Sequence, residues 1–322
     1  MSWFQHHRYL YVCLDPVHVG AGGYRLGRVD NAIVREPGTN LPKVPGTSLS
    51  GAARSYAAMA YGRPEAAGQQ ARLTGDAKDP KTCPILYTFG TASDDTEGLG
   101  SRAGAANLSD ALVFLFPVST TEGPRWVTTL EMLDQAGVTA TGAKPTDEGS
   151  IICTWKQPPA QINAGWLLLS VGGEAVLSAP SYLALSEIWK EVANRILIVT
   201  PRYLSVVANS NLEVRTSVSI DPFTGAAAEH LLFTYEAIPR ATWLIADVVI
   251  DDFAAGQSKR PFPCLQKHGN GAALPRPWAG PADVVKTGLE LIEYLGVGGM
   301  GTRGFGRMKV VADRVVPAGD RS

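Results

Sequence analysis

No two cysteines in this 322-residue chain are spaced as a CxxC pair. Cys13, Cys83, Cys153 and Cys264 are scattered, and no histidines stand beside them at zinc-ligand spacing. A structural zinc site is therefore not expected, and the thiols should be reduced and partly buried. No apolar run approaches the length of a membrane span, and the opening residues do not read as a signal peptide. The expected compartment is the cytoplasm, with no membrane partner. A strong net charge is also missing: the formal value is −1, which excludes a uniformly basic nucleic-acid binder. No Gly-Lys-Ser/Thr follows a glycine-rich turn, so a Walker A nucleotide site is excluded. What remains is an ordinary globular composition, 45% hydrophobic and 18% charged.

Glycine, by contrast, is concentrated near the end of the chain. Gly296-Val-Gly-Gly-Met-Gly-Thr-Arg-Gly-Phe-Gly-Arg307 places six glycines in the eleven residues from Gly296 to Gly306. Bare backbone N–H groups there can approach a ligand closely, and Arg303 and Arg307 add guanidinium forks suited to phosphate oxygens. A dinucleotide site needs strand, glycine turn, then helix. Here the order is helix, glycine loop, strand, which disfavours a nucleotide-cofactor enzyme. A turn that only packs a helix on a strand stays open as the plain alternative.

Periodicity supplies the rest of the framework. Tyr9 to Leu14 reads as a strand, and Pro16 to Pro45 as a long loop, the kind that usually carries function. Thr47 and Ser48 offer N-cap oxygens to a helix running to about Tyr61. Ala105 to Val118 reads as paired strands turning near Asn107 to Asp110, and Arg125 to Gln135 as a strand leading to a helix. Residues 136–165 are turn-rich. Leu183 to Asn194 is expected helical and Ile196 to Val199 extended. Leu212 to Ile220, the turn Asp221 to Gly225 and Leu231 to Ala237 form a hairpin. Trp243 to Ile250 is a strand and 253–281 a Pro/Gly loop. A helix over Val284 to Leu295 and a strand over Met308 to Val311 complete the chain. The order predicts an α+β fold with a mainly antiparallel sheet, compatible with a βαββαβ core carrying long insertions.

Charge is less even than the total suggests. Residues 1–63 carry Arg8, Arg25, Arg28, Arg35, Lys43, Arg54 and Arg63 against Asp15, Asp30 and Glu36. A local positive surface there is compatible with a polyanion partner, and a solvated mixed-charge face is the plain alternative.

Several segments, in order, resemble one family. Pro45-Gly-Thr-Ser-Leu-Ser-Gly-Ala-Ala-Arg54 resembles the Pro-Gly-Ser-Ser-Leu-Lys-Gly-x-x-Arg motif of the RAMP superfamily of CRISPR proteins. Ser50 stands where that motif has Lys. Gly296 to Arg307 looks like the superfamily's C-terminal glycine-rich loop, in a version nearer to type III-A. His18-Val-Gly-Ala-Gly with Val29 to Glu36 resembles the N-terminal signature of type III backbone subunits. Leu115 to Gly123 with Trp126 to Thr128, and Arg215 to Asp221 with Thr224, Gly225, Phe233, Glu236 and Pro239, are similar to the type III-B (Cmr) backbone subunit. Residues 62–82, 136–180 and 253–281 match none of these motifs.

The resemblance implies a single domain over residues 1–322, with an RRM/ferredoxin-like palm, long insertions and a protruding β-hairpin thumb within 205–240. RRM-type sheets are platforms for single-stranded RNA. It further implies a filament subunit that binds guide RNA beside copies of itself and other type III effector subunits, kinks the guide–target duplex and cleaves target RNA at regular intervals. Arg35, Ser48, Arg54, Gly298, Gly299, Gly301, Arg303 and Arg307 are the expected RNA-binding residues. Phe223 and Thr224 are the expected wedge at the thumb tip. Asp30 matches the family's catalytic Asp, and would help deprotonate a 2′-OH or hold Mg²⁺ or Mn²⁺, bound mainly through RNA. His18 would contact RNA or assist proton transfer, or else serve as a stacking or capping histidine. Two other readings stay open: a non-catalytic RNA-binding subunit, and a repeat-processing RNase of the same superfamily, which the Asp30 loop and hairpin motifs fit poorly.

Overall fold

A computed structural model describes residues 4–22, 29–68, 82–91, 102–146, 149–220, 223, 225, 227–253, 262–263, 274 and 276–317. The first strand, β1 (Phe4–Cys13), is an inner strand of the main sheet, next to its edge. Tyr9, Tyr11 and Cys13 face one core while Leu10 and Val12 face another, so both sides of its pleat are buried. Helix α1 (Gly46–Ala60) and strand β2 (Ala111–Thr120) follow. Helix α2 (Pro201–Ser210) leads into the hairpin strands β3 (Glu213–Ile220) and β4 (Ala227–Ala237). Strand β5 (Trp243–Asp251), helix α3 (Pro281–Leu295) and strand β6 (Met308–Val316) close the fold.

β1 pairs antiparallel with both β5 and β6, and β5 pairs antiparallel with β2. With α1 between β1 and β2, and α3 between β5 and β6, this is the expected βαββαβ core. Its order across the sheet is β6-β1-β5-β2. The sheet continues through the strands of the 121–198 insertion, mostly antiparallel, while β3 and β4 form a separate two-stranded sheet. The hairpin expected from the alternating pattern is thus present, as a sheet separate from the main one. Among the described residues, no helix is long and apolar enough to cross a membrane. Cys13, Cys83 and Cys153 are free and buried, and Cys264 lies outside the described residues.

Leu49 and Ala53 of α1 and Val285, Leu289 and Ile292 of α3 cover one face of the palm. Covering of the other face corrects an expectation drawn from the resemblance. An RRM sheet reads RNA with its helix-free face, but here that face is filled by protein. Leu10, Val12, Phe114, Leu115, Trp243 and Ile245 pack on Leu133, Leu183, Trp189 and Val192 of the insertion. Trp189 stacks on Phe114 at 6.2 Å and 13°, and meets Trp243 edge-on at 6.1 Å. With these aromatics buried in the core, this face is not an exposed stacking platform.

Other expectations shift locally. Residues 106–108 and β2 do not pair with each other, because both lie against β5. Ser109 keeps the ladder continuous, donating its N–H to Asp247 O at 2.9 Å and accepting the Asp247 N–H on Oγ at 2.8 Å. The expected helix over 183–194 is broken into Ser181–Ala184 and Glu187–Val192. The turn-rich 136–165 contains three short strands, Thr139–Gly142, Ser150–Cys153 and Gln161–Ala164.

Candidate nucleic-acid interface

Three segments distant in sequence meet beside the palm: the loop after β1, the base of the hairpin, and the glycine loop. Val17 and Ile238 exchange two backbone hydrogen bonds of 2.9 Å, tying the loop to the strand leaving the hairpin. Asn31 then adds alongside β4, donating to Thr234 O and accepting from Glu236 N–H, each at 3.0 Å. Residues 30–31 are in effect a short third strand of the hairpin sheet.

This pairing places Asp30. Its Oδ2 accepts the Thr234 N–H at 2.7 Å and the Thr234 hydroxyl at 2.9 Å, while its own N–H donates to Thr234 Oγ1 at 3.1 Å. The Thr234 amide first, then the hydroxyl, hold the exposed carboxyl below the ordinary aspartate range. No donor among the described residues reaches Oδ1. The carboxylate is thus ionised, fixed on one side and open on the other.

His18 sits two residues further along β4, a step of about 7 Å. Its Nδ1 lies 2.6 Å from Glu236 O, a carbonyl that can only accept, so Nδ1 carries a proton and donates it there. The ring is only 6% exposed and meets Tyr235 edge-on at 6.1 Å. This environment is that of the stacking histidine given as the alternative above. Arg35 is likewise engaged within the protein, bonding Glu236 Oε2 at 2.8 Å, Asn209 Oδ1 at 2.8 Å and Ile33 O at 3.0 Å. It braces the loop between the hairpin and α2, leaving little of its fork for a phosphate.

The glycine loop docks on the same loop. Gly299 N–H donates to His18 O, Gly306 N–H to Pro16 O, and Leu14 N–H to Arg307 O, each at 2.9 Å. Gly298 has φ +83°, and a Cβ there would lie 2.3 Å from His18 O, so only glycine permits the contact. Further out, Met300 and Gly304 adopt φ of +64° and +80°. A Cβ on Gly301 or Gly304 would meet nothing within 4 Å. No backbone acceptor among the described residues takes the N–H groups of Met300, Gly301 or Thr302. These amides form an exposed nest suited to an anion.

Arg303 borders that nest, with its guanidinium 5.4 Å from the Phe233 ring and Nη1 3.4 Å from Ser217 Oγ. Arg215 lies 4.7 Å over Phe305, which meets Tyr235 edge-on at 5.4 Å. Glycine loop and hairpin are therefore joined by alternating rings and guanidiniums, with Tyr235 and Phe305 buried in the join. Arg307 points elsewhere, forming a two-point pair with Asp15 at 2.5 and 3.1 Å that holds the Asp15 carboxyl below its ordinary range.

The Pro45–Arg54 segment departs from its expected role. Helix α1 starts at Gly46 with no side-chain cap, so neither Thr47 nor Ser48 caps it. The Gly46 N–H instead donates to Asp110 Oδ1 at 2.8 Å, and Lys43 Nζ reaches Asp110 Oδ2 at 2.6 Å. A Cβ on Gly46 would lie 2.3 Å from Leu108 O. A protein carboxylate already occupies this helix end, and a strand crowds it. Ser48 is half-buried, and its N–H donates to Pro45 O at 2.9 Å. Arg54 is 5% exposed and donates to Ala66 O and Gly68 O at 2.9 and 3.1 Å, where burial lowers its pKa. It pins the segment after α1 rather than facing outward. The positive surface expected over residues 1–63 is mostly internal for the same reason. Arg8 pairs with Asp247, Lys43 with Glu36 and Asp110, and Arg63 with Glu65. Arg25 and Arg28 lie outside the described residues.

At the hairpin tip, Phe223 is 96% exposed, and Thr224 lies outside the described residues. No three His, Cys, Asp or Glu side chains gather as metal ligands among the described residues. Asp30 alone does not make a protein-held divalent-ion site.

The profile of the RAMP superfamily matches residues 11–309. The chain belongs to the RAMP superfamily. Over 102 residues it is 34% identical to the CRISPR system Cms endoribonuclease Csm3 of Mycobacterium tuberculosis (strain ATCC 25618 / H37Rv), covering 28% of this chain and 43% of that protein. The protein of the same name from Methanothermobacter thermautotrophicus (strain ATCC 29096 / DSM 1053 / JCM 10044 / NBRC 100330 / Delta H) is 32% identical over 91 residues, 28% of this chain and 34% of its own. The match thus spans less than half the length of either curated relative. A type III-B Cmr-beta complex bound to cognate target RNA contains a chain with TM-score 0.61 and 15% identity, covering 95% of this RAMP protein and 96% of that chain. Oligomeric Cmr4 from Pyrococcus furiosus has TM-score 0.53 and 18% identity over 98% of this chain and 99% of its own. At such identities the structural likeness is one of fold.

Sequence reasoning misses Thr234, Tyr235, Phe305, Arg215 and Asp15 as parts of this site. Alternation along β4 carries a partial signal, since Thr234 and Glu236 fall on one face and Phe233 and Tyr235 on the other.

Proposed function

We propose that this RAMP protein is a backbone subunit of a type III CRISPR effector complex that binds guide RNA and cleaves complementary target RNA. The observation that carries the reading is the fixing of Asp30 at the base of a hairpin whose tip is an exposed Phe223, beside a glycine loop with open amides and Arg303. The loop holds guide phosphates without reading sequence, and base pairing supplies specificity. Further copies of the chain stack along the guide with the other effector subunits. Phe223 wedges into the guide–target duplex and unstacks one step.

At the kink, the displaced target nucleotide turns its 2′-OH toward its own 3′-phosphate. Asp30 Oδ1 accepts the hydrogen bond from that hydroxyl. A carboxyl held below its ordinary range is a weak base near neutrality, so orientation rather than full proton removal is the role supported by the geometry. Mg²⁺ or Mn²⁺ is expected to enter only with RNA, held mainly by phosphates and water, and no step is assigned to it.

The test is an assembled complex carrying Asp30→Ala, given complementary RNA with Mg²⁺ or Mn²⁺ and, in parallel, with chelator. Target binding should be normal and periodic cleavage should fall on the order of a hundredfold or more. Unchanged cleavage favours the second reading, a non-catalytic RNA-binding subunit. The lone, unclustered carboxylate is the observation that supports that reading.

A further inference from the structure

Asp30 and the hairpin are joined most directly by one side chain. The Thr234 hydroxyl accepts the Asp30 N–H at 3.1 Å and donates to Asp30 Oδ2 at 2.9 Å, while the Thr234 amide donates to the same oxygen at 2.7 Å. We propose that Thr234 is a positioning residue for target cleavage, a hydroxyl clasp through which the hairpin aims the Asp30 carboxylate at RNA. This rests on the reading of Asp30 as the group that acts on the target.

The backbone on either side of the clasp is already fixed. Asn31 is bonded to Thr234 O and to the Glu236 N–H, each at 3.0 Å. What the clasp adds is control of the Asp30 side chain. An exposed aspartate otherwise exchanges among staggered rotamers, each sending its oxygens in a different direction. Two donors on Oδ2 select one arrangement and leave Oδ1 as the oxygen presented outward. Threonine suits the task because its branched Cβ restricts χ1 on a strand, so the strand backbone sets the direction of Oγ1. Its cross-strand neighbour on β3 is Thr216, so the clasp sits within the paired part of the hairpin and moves with it. A displacement of the hairpin on meeting RNA is thereby transmitted to the carboxylate without an intervening loop.

The valine side chain fills nearly the same space but can neither accept from Asp30 N–H nor donate to Oδ2, which leaves the residue-234 amide as the one remaining donor of the clasp. Serine keeps the hydroxyl and loses only the methyl group. In reconstituted complexes carrying guide RNA, Thr234→Val should slow single-turnover target cleavage by about tenfold to a hundredfold, the scale of a small misplacement of a reacting group. Target affinity and guide loading should stay within about twofold of wild type, since the clasp acts on orientation rather than on binding. Thr234→Ser should recover most of the lost rate. Wild-type cleavage by Thr234→Val overturns the proposal. So does equal slowing in the valine and serine variants, which would show a packing role, or a loss of rate that tracks a loss of target binding. An Asp30→Ala complex measured alongside separates the two levels. If it cleaves normally, the Asp30 reading and the clasp both fail. If it is inactive while Thr234→Val is normal, only the clasp fails.

Discussion

Gly288 of α3 lies so close to Ala53 of α1 that a Cβ on the glycine would sit 2.1 Å from the Ala53 carbonyl oxygen. Glycine inside a helix costs about 1 kcal/mol relative to alanine, and here that cost is offset by the close approach of two helices. Tyr56 of α1 uses this proximity, its hydroxyl lying 2.6 Å from Gly296 O and 3.1 Å from Leu295 O at the start of the glycine loop. Gly288→Ala should therefore destabilise the protein by roughly 1–3 kcal/mol, despite the better helix propensity of alanine. Thermal unfolding measures this directly, and weaker guide loading should accompany it as the loop loses its support. A raised unfolding temperature would show that the helices can separate without strain.

Asp110 caps α1 from the link just before β2, and its carboxyl is held below the ordinary range first by the Gly46 N–H and then by Lys43. Replacing it with alanine should cost about 1 kcal/mol at neutral pH, the usual worth of an N-cap. The folded pKa is depressed, so the stabilisation is complete above the unfolded value of about 3.9 and is lost as pH falls through the folded value. Stability curves of wild type and Asp110→Ala should differ at pH 7 and converge in the acid limb. Parallel curves across the whole range would assign the effect to packing instead.

The periodic parts of this fold were legible before any coordinates. β1, α1, β5 and α3 bury repeating apolar faces, the hairpin is marked by its alternation and turn, and their order gives the α+β core. What depended on contacts between distant residues was not. Thr47 and Ser48 look like a helix cap, yet Asp110 takes that place from the link just before β2, and no local pattern announces it. Arg35 and Arg54 fit phosphate binding by residue type, but Glu236 and the Ala66 and Gly68 carbonyls are their partners. Asp30 and Thr234 lie 204 positions apart, so the bond between them is invisible to spacing. The glycine loop was visible as a feature, and its seat on His18 and the hairpin was not.

Arg303 and Arg307 stand in one motif but in different surroundings, and the same change should affect them differently. Arg303 is exposed beside open amides, so Arg303→Glu should lower guide affinity by about tenfold and flatten its salt dependence by about 0.7 in log–log slope for one lost single-strand contact. The unfolding temperature should stay close to wild type. Arg307→Glu would set a carboxylate against Asp15 and lose the two-point pair, so a lower unfolding temperature should accompany any loss of guide. Neither variant should alter guide sequence preference, because phosphate contacts carry none. Normal guide loading in both would reduce the glycine loop to a packing turn.

Phe223 gives the sharpest separation of stability from function, because at 96% exposure its ring contributes little to the folded state. Phe223→Ala should change stability by no more than about 0.5 kcal/mol, as for most surface substitutions. Guide loading should also be unchanged, since the glycine loop is distant in sequence and seated on the hairpin base rather than its tip. The effect should appear only when target RNA pairs with the guide. A fluorescent base analogue placed at each regular cleavage position reports unstacking, and its signal should fall when the wedge is removed. Single-turnover cleavage should drop in step, because Asp30 then faces a stacked nucleotide whose 2′-OH is not aligned with its 3′-phosphate. Full unstacking and cleavage by Phe223→Ala would remove the wedge role and leave the hairpin as a support for Asp30.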